Sequence, residues 1–421
     1  MKPLVIEYEG MVVGRAEVEE DDRFAFVYDG EWLRQPDAFA LSIRLALRLE
    51  RWPAREAHPF FANLLPEGLA REAICGRLGI SPDNDAALLR ALGDDTAGAF
   101  RFVVADSEES RREHRERLPV SEEELERWTC GEPALPSNPE HLPRLSLAGA
   151  QHKVAVVETG DGYALPATGE ASTHILKFDA RRFPHLTANE FLSMSFAEEL
   201  GLPVSRSRLD TRTRAPFLVV ERYDRHRGHE GVIHRLHQED FCQALGVLPT
   251  RKYESDGGPR LAEVGACLRS ISSAPAHDAL NLMRWAIFCV LAGNADGHAK
   301  NLSILYGSHG PVLAPFYDLV CTRAFDDLDP RLAFSIGGEQ NADRIRRQEW
   351  HLFADDLSVR PRLIDRELER LVEAADEAFE RAAARLGEAV EYSPALERVK
   401  RAVDKRVRAM KNNLRKYIKR P

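Results

Sequence analysis

No two cysteines of this 421-residue chain stand at C-x-x-C spacing, and no histidine joins one at zinc-finger spacing. The six cysteines, at positions 75, 130, 242, 267, 289 and 321, are scattered singly, as buried thiols are in a reducing cytoplasm. No apolar run is long enough to cross a bilayer: the longest, Leu282 to Ala292, is interrupted by Arg284. The opening stretch MKPLVIEYEG brings a charge by Glu7, before a secretory h-region could form. Internal repeats and low-complexity segments are also missing. These absences lead us to expect a soluble, cytoplasmic protein with no membrane partner.

The hydrophobic fraction is 44%, enough for a sizeable core. The length suggests two or three domains at roughly 150 residues each. The net charge of −9 does not favour nucleic acid as the main ligand. Residues 396–421, however, carry eleven Lys/Arg against two Asp/Glu, so the rest of the chain carries −18.

Residues 1–105 have the pattern of a small α/β module. Leu4, Ile6 and Tyr8 alternate, Met11 and Val13 resume after Glu9-Gly10, and Phe24, Phe26 and Tyr28 alternate again, as half-buried strands do. Ser81-Pro82 has the chemistry of a helix start, and Gly93 suits the corresponding stop. Residues 106–145 are charged and then proline-rich, a linker with one short helix opened by Ser121 and Glu124. From 146, strands are expected at 154–157, 173–177 and 217–220, with a helix over 188–200. Strands with one inserted helix, over 146–225, suit the small lobe of a nucleotide-binding enzyme. Beyond Tyr223 the chain is expected to turn mainly helical, over 226–421.

The sharpest chemical signal is Gly293-Asn294-Ala295-Asp296-Gly297-His298-Ala299-Lys300-Asn301. Asp296 and Asn301 stand at the D-x-x-x-x-N spacing of a kinase catalytic loop. One carboxylate must orient the attacking hydroxyl and accept its proton, and one amide oxygen must reach Mg²⁺ on the phosphate side. The spacing alone leaves open ordinary turn and cap roles. After an apparent hairpin comes Phe316-Tyr317-Asp318-Leu319, where a kinase needs a second Mg²⁺ carboxylate. Lys177 ends an apolar strand and could neutralise phosphate charge, with Glu190 a candidate to steer it. Glu190 could equally belong to a capping box with Thr187. Ser146-Leu147-Ala148-Gly149-Ala150-Gln151-His152-Lys153 is rich in small residues, yet its single glycine fails both G-x-G-x-x-G and G-x-x-x-x-G-K-[ST].

Together these segments resemble the HipA-like serine/threonine kinases, the toxin halves of type II toxin–antitoxin systems. SLAGAQHK (146–153), THILK (173–177), NADGHAKN (294–301) and YDL (317–319) carry the resemblance. FFANLLPEG (60–68), ALLRALGDDTAGAF (87–100), VVERYDR (219–225) and HQEDFCQALG (237–246) agree with it, to about residue 340. The resemblance implies an α+β fold: a bilobal protein-kinase-like core with an N-terminal α/β module. It makes Asp296 the catalytic base and gives Mg²⁺ to Asn301 and Asp318. ATP would be held by Lys153, Lys177, Ala148, Gly149, Ala150, His298 and Lys300, with Glu221 and Tyr223 at the adenine. Ser146 matches the family's autophosphorylated serine, whose modification shuts the enzyme off. The resemblance also implies a protein substrate such as an aminoacyl-tRNA synthetase, and a corepressor role with a helix-turn-helix antitoxin on operator DNA. Against eukaryotic-type kinases the chain departs, with Asn294-Ala295 before Asp296 in place of H-R and Tyr317-Asp318-Leu319 in place of D-F-G.

The tail beyond Ser393-Pro394 repeats Val399, Val403, Val407, Met410, Leu414 and Ile418 three or four apart, a helix with one apolar stripe. Its basic face of Arg398, Arg401, Lys405, Arg408 and Lys411 could meet DNA phosphates or simply be solvated. Three other functions remain open at this point. They are a catalytically inactive corepressor, a small-molecule phosphotransferase, and a metal hydrolase using Asp296, His298 and Asp318.

Overall fold

The computed structural model describes residues 3–19, 22–104, 116–134, 151–180, 182–228, 231–390 and 394–418, the last with side chains to 414. Contacts divide the chain into two compact units, 1–178 with 219–250, and 179–218 with 251–421.

The first unit begins with an antiparallel sheet in the order Phe24–Tyr28, Met11–Val18, Leu4–Tyr8, Arg101–Val104. The alternating residues of the sequence point inward: Leu4, Ile6, Val13, Phe24 and Phe26 are all fully buried. Helices Ala54–Ala62, Gly68–Leu78 and Asp85–Leu92 belong to the same module. Phe61 packs its ring 4.9 Å from that of Phe24. The third of these helices starts later than the sequence suggested. Asn84 is its cap, accepting from the Ala87 N–H at 2.7 Å, while Ser81 and Pro82 form the turn before it. Gly93 is not left-handed there (φ −76°). It is small because a Cβ would meet Leu89 O and Phe102 Cβ at 2.6 Å.

A second sheet runs Leu118–Pro119, Gly162–Leu165, Lys153–Thr159, His174–Lys177, Phe217–Glu221, Ser207–Asp210. Its edge strand and the helix Glu122–Thr129 both come from the stretch expected as linker. Both hydrogen bonds of the Ser121–Glu124 capping box are present at 3.2 Å. Trp128 from this helix is buried against Phe178. Helix does not follow directly after Tyr223 either. The chain first makes the hairpin Arg225–Arg227 with Ile233–Arg235 and the strand His237–Asp240, and only then the helix Phe241–Leu245.

The second unit is mainly helical. Leu186–Glu199, Leu261–Ile271, Pro275–Ala292, Arg347–Asp356, Pro361–Ala389 and Pro394–Ile418 are its helices, and Ser303–Gly307 with Gly310–Leu313 its hairpin. The first of these is not opened by a Thr187–Glu190 box. The Asp179 carboxylate takes the N–H groups of His185 and Thr187 and the Thr187 hydroxyl, at 2.6–2.8 Å. This helix packs on Pro361–Ala389 through Phe196 and Phe379, with Arg381 on Glu199 at 2.6 Å. The terminal helix buries Val399, Val403, Val407 and Met410, the expected stripe. The fold is α+β, and among the described residues no helix is long and apolar enough to cross a membrane.

Candidate functional site

The candidate residues fall into two groups. In the first unit, Lys153 and Lys177 are direct partners across adjacent antiparallel strands, so their side chains share one face. Lys177 is only 4% exposed. His152, just before the first lysine, is pushed down by burial and so remains neutral near pH 7. Glu221 ends the neighbouring strand and is exposed, and Tyr223 follows with its hydroxyl donating to Gln238 Oε1.

Around Tyr223 lies a buried ion network that the sequence did not announce. Arg222 N–H donates to Thr173 O at 3.0 Å, joining the start of the Lys177 strand. The Arg222 guanidinium spans Asp224 at 2.7 Å and Asp95 at 3.2 Å. Asp95 also takes Arg225 at 2.7 Å and Arg235 at 3.3 Å, and Asp224 accepts the Gly98 N–H at 2.8 Å. Burial alone would raise the Asp95 carboxyl, but the guanidinia of Arg225, Arg222 and Arg235 pull it below the ordinary range. Asp224 is likewise raised by burial and drawn down further by Arg222 and Arg225. The network joins the turn 94–98 of the N-terminal module to the strands that carry Lys177 and Glu221. Its visible trace in the sequence is the charge pattern of Arg222-Tyr223-Asp224-Arg225.

The second unit holds Asp296, His298, Lys300, Asn301 and Asp318. Helix Pro275–Ala292 stops at Gly293, φ +70°, and the Gly293 and Asn294 N–H groups both return to Cys289 O. A Cβ at Gly293 would lie 2.9 Å from Arg323 Cγ, so glycine is required by space as well as conformation. The loop is then fixed from several sides. Ala295 N–H donates to Thr322 Oγ1 at 2.8 Å, and Asp296 N–H to Asn294 Oδ1 at 3.1 Å. His298 N–H donates to Asn301 Oδ1 at 3.1 Å, folding the loop back on itself. Asn294, Ala295, His298, Lys300 and Asn301 are buried, while Asp296 is exposed. The loop thus presents one carboxylate outward from a packed base.

Asp318 is half-buried and takes φ +52°, a left-handed conformation that aspartate adopts more readily than most residues. Such conformations persist where the surroundings hold them. The Tyr317 hydroxyl beside it donates to Lys300 O at 2.8 Å and lies 2.6 Å from Ser303 Oγ, tying this segment to the loop. On its other side, Asn189 grips the backbone of Cys321 with two hydrogen bonds. Asn301 supplies an amide oxygen and Asp318 a carboxylate, hard oxygen donors of the kind Mg²⁺ takes alongside phosphate and water. Among the described residues, no three His, Cys, Asp or Glu side chains gather to hold a metal, so a hydrolase using Asp296, His298 and Asp318 has no geometric support. Ser146, Ala148, Gly149 and Ala150 lie outside the described residues.

Sequence reasoning missed Tyr253, whose hydroxyl donates to Asp296 Oδ1 at 2.7 Å, because no fixed spacing links it to the loop. It likewise missed Asn189 and Thr322, whose roles are hydrogen bonds to distant backbone.

An exposed aspartate, an amide five residues on and a carboxylate behind the following hairpin match the residue pattern that phosphoryl-transfer sites use. Comparison with known proteins gives the class a family. The HipA N-terminal domain model matches residues 4–103 and the HipA-like C-terminal domain model residues 145–379. The chain is 42% identical over 386 residues to the putative kinase Y4mE of Sinorhizobium fredii, covering 90% of this chain and 92% of that one. It is 32% identical over 375 residues to the serine/threonine-protein kinase toxin HipA of Shewanella oneidensis, covering 85% and 84%. The solved complex of Shewanella oneidensis HipA, HipB and operator DNA contains a chain matching this one with a TM-score of 0.83 at 28% identity, over 98% of this chain and 97% of that one. The protein belongs to the HipA family of kinase toxins.

Proposed function

We propose that this protein is an ATP- and Mg²⁺-dependent serine/threonine protein kinase. The observation that carries the reading is the packed loop 293–301, which presents Asp296 outward and keeps Asn301 buried at the D-x-x-x-x-N spacing. In this reading Asp296 accepts the proton of the substrate hydroxyl as its oxygen attacks the γ-phosphorus. Lys153 and Lys177 answer phosphate charge, and Glu221 and Tyr223 hold the adenine through their backbone. His298, Lys300 and the segment Ala148, Gly149, Ala150 complete the nucleotide contacts. Asn301 and Asp318 would hold Mg²⁺, which supplies charge neutralisation at the phosphates when bound. Ser146 is the autophosphorylation site. The reading assigns the module to 1–105, the small lobe to 146–225 joined by the strand Leu118–Pro119 and helix Glu122–Thr129 of the 106–145 stretch, and the large lobe to 226–421, whose first residues, to 250, group with the first unit.

The Shewanella oneidensis relative is solved with HipB and operator DNA, which supports an antitoxin and a DNA partner for this chain. The basic tail helix offers less to DNA than its composition suggests. Lys400 is engaged by Glu380, Lys411 by Asp376 and buried Arg406 by Asp343, at 2.6–2.8 Å. Arg401, Lys405 and Arg408 are exposed and are the tail residues we assign to phosphate contact. The protein substrate is a translation component such as an aminoacyl-tRNA synthetase. ADP release from Mg²⁺-ATP, measured on the whole chain beside Asp296→Ala, tests the reading. Turnover lost in the variant supports a kinase, and ATP binding without turnover in the wild type favours an inactive corepressor. Turnover on aminoglycosides or choline with none on protein would point to a small-molecule phosphotransferase.

A further inference from the structure

An exposed aspartate swings easily, because its terminal torsion is broad and nearly two-fold. A base that must receive one proton along one line needs something to stop that motion. In this loop Asp296 has one side-chain anchor among the described residues, the Tyr253 hydroxyl, which donates to Oδ1 at 2.7 Å. Oδ2 has no hydrogen-bond partner among the described residues.

Tyr253 is itself unusually well mounted for a residue on a surface turn. It precedes the short turn Glu254–Asp256, which Gly257 closes at φ +76°. Gly258 N–H donates back to Tyr253 O at 2.9 Å, and a Cβ on Gly258 would lie 2.0 Å from Arg251 O. Arg251 Nη2 closes over the turn by donating to Gly257 O at 2.8 Å. The turn is then stapled to the body of the site. The Glu254 carboxylate accepts the N–H and hydroxyl of Ser335, both at 2.7 Å. Glu254 N–H reaches Ala333 O at 3.4 Å, and Ala333 N–H donates to Ala295 O at 2.9 Å, next to Asp296. The Tyr253 ring stands edge-on to His298 at 5.0 Å. These contacts hold the ring from several sides and aim one hydroxyl at one carboxylate oxygen.

We propose that Tyr253 is a positioning residue for the phosphoryl-transfer reaction: by occupying Asp296 Oδ1, it orients the carboxylate so that Oδ2 receives the substrate proton. The inference rests on Asp296 being the base. The acceptor hydroxyl oxygen forms a bond to the γ-phosphorus, and the bond from that phosphorus to the β–γ bridging oxygen breaks. The electron pair departs on ADP, and the hydroxyl proton goes to Oδ2. Tyr253 keeps its own proton throughout and touches neither nucleotide nor acceptor.

The test is steady-state ADP release by the whole chain carrying Ser146→Ala, with Mg²⁺-ATP and casein as the acceptor, comparing the otherwise wild-type chain, Tyr253→Phe and Asp296→Ala, with a thermal melt on each. Phenylalanine keeps the ring against His298 and removes only the hydroxyl. We expect Tyr253→Phe to melt with the wild type, to keep its KM for ATP, and to lose about 10- to 100-fold in kcat, the scale of a misplaced catalytic group. A Tyr253→Phe variant with wild-type kcat, while Asp296→Ala is inactive, overturns the positioning role and leaves the base intact. A variant whose KM for ATP rises while kcat holds also overturns it, by placing Tyr253 in nucleotide binding. An Asp296→Ala variant that turns over like the wild type, or a wild type without turnover, removes the base and this inference with it.

Discussion

Asn189 closes a ring on the backbone of Cys321: its Nδ2 donates to Cys321 O at 3.0 Å, and its Oδ1 accepts from Cys321 N at 2.9 Å. All of these atoms are buried, and Asp318 lies three residues before the clamp. The amide does for this segment what a neighbouring strand would do, and fixes the chain that presents a proposed Mg²⁺ ligand.

Asn189→Ala should therefore act twice. It leaves a buried N–H and a buried C=O unanswered, at about 1–3 kcal/mol each. Thermal unfolding should show the loss as a lower midpoint. ATP turnover, measured well below that midpoint, should fall as Asp318 loses its support. A variant that melts early yet turns over normally would show that the clamp serves stability alone.

Asp95→Asn should destabilise the first unit by about 3–5 kcal/mol, since Arg222, Arg225 and Arg235 would be left buried without their shared carboxylate. The wild type should show the same dependence through pH. Asp95 and Asp224 are both held below their ordinary values. Their contribution is complete above the unfolded value of about 4 and is lost as pH falls from there through their folded values. Urea midpoints measured from pH 7 down to 3 should fall below pH ~4, and more shallowly in Asp95→Asn.

His237 gives a separate window. It is packed against Phe100, rings 4.7 Å apart, and burial pushes its pKa down to about 3. The unfolded chain takes up this proton below about pH 6.5, while the folded protein refuses it. Stability is thus full above that pH and falls by about 1.4 kcal/mol per unit below it. His237→Phe should flatten the stability profile between pH 6.5 and 4. A profile unchanged by the substitution would move the dependence to another group.

The first sheet, the Ser121 cap and the stripe of the terminal helix could all be foreseen, because each rests on local pattern: alternation, a hydroxyl three residues before a glutamate, apolar residues three or four apart. The start of the helix at Asn84 and the cap from Asp179 could not. In both, a nearby polar side chain outcompeted the residue that local preference favoured. The loop residues Asp296, Asn301 and Asp318 stood out because the phosphoryl transfer proposed for them constrains spacing. Tyr253, Asn189 and Asp95 carry no such spacing. Tyr253 meets Asp296 43 residues away, Asn189 meets Cys321 132 away and Asp95 meets Arg222 127 away, and only the folded chain brings them together.

Asp296→Ala and Asp318→Asn should each melt within a few degrees of the wild type, because one side chain is exposed, the other is only half-buried, and asparagine tolerates the left-handed backbone at 318. Phosphoryl transfer should fall by about 1,000-fold or more in both. A large drop in melting temperature would instead make these residues structural.

The most direct measurement is intact-mass analysis and peptide mapping of the dephosphorylated whole chain after incubation with Mg²⁺-ATP, beside Asp296→Ala. A gain of one phosphoryl group that maps to Ser146, and that is missing from the variant, is the predicted result. No gain in the wild type while ATP remains bound, or an equal gain in both proteins, would contradict Asp296 as the base of an active kinase.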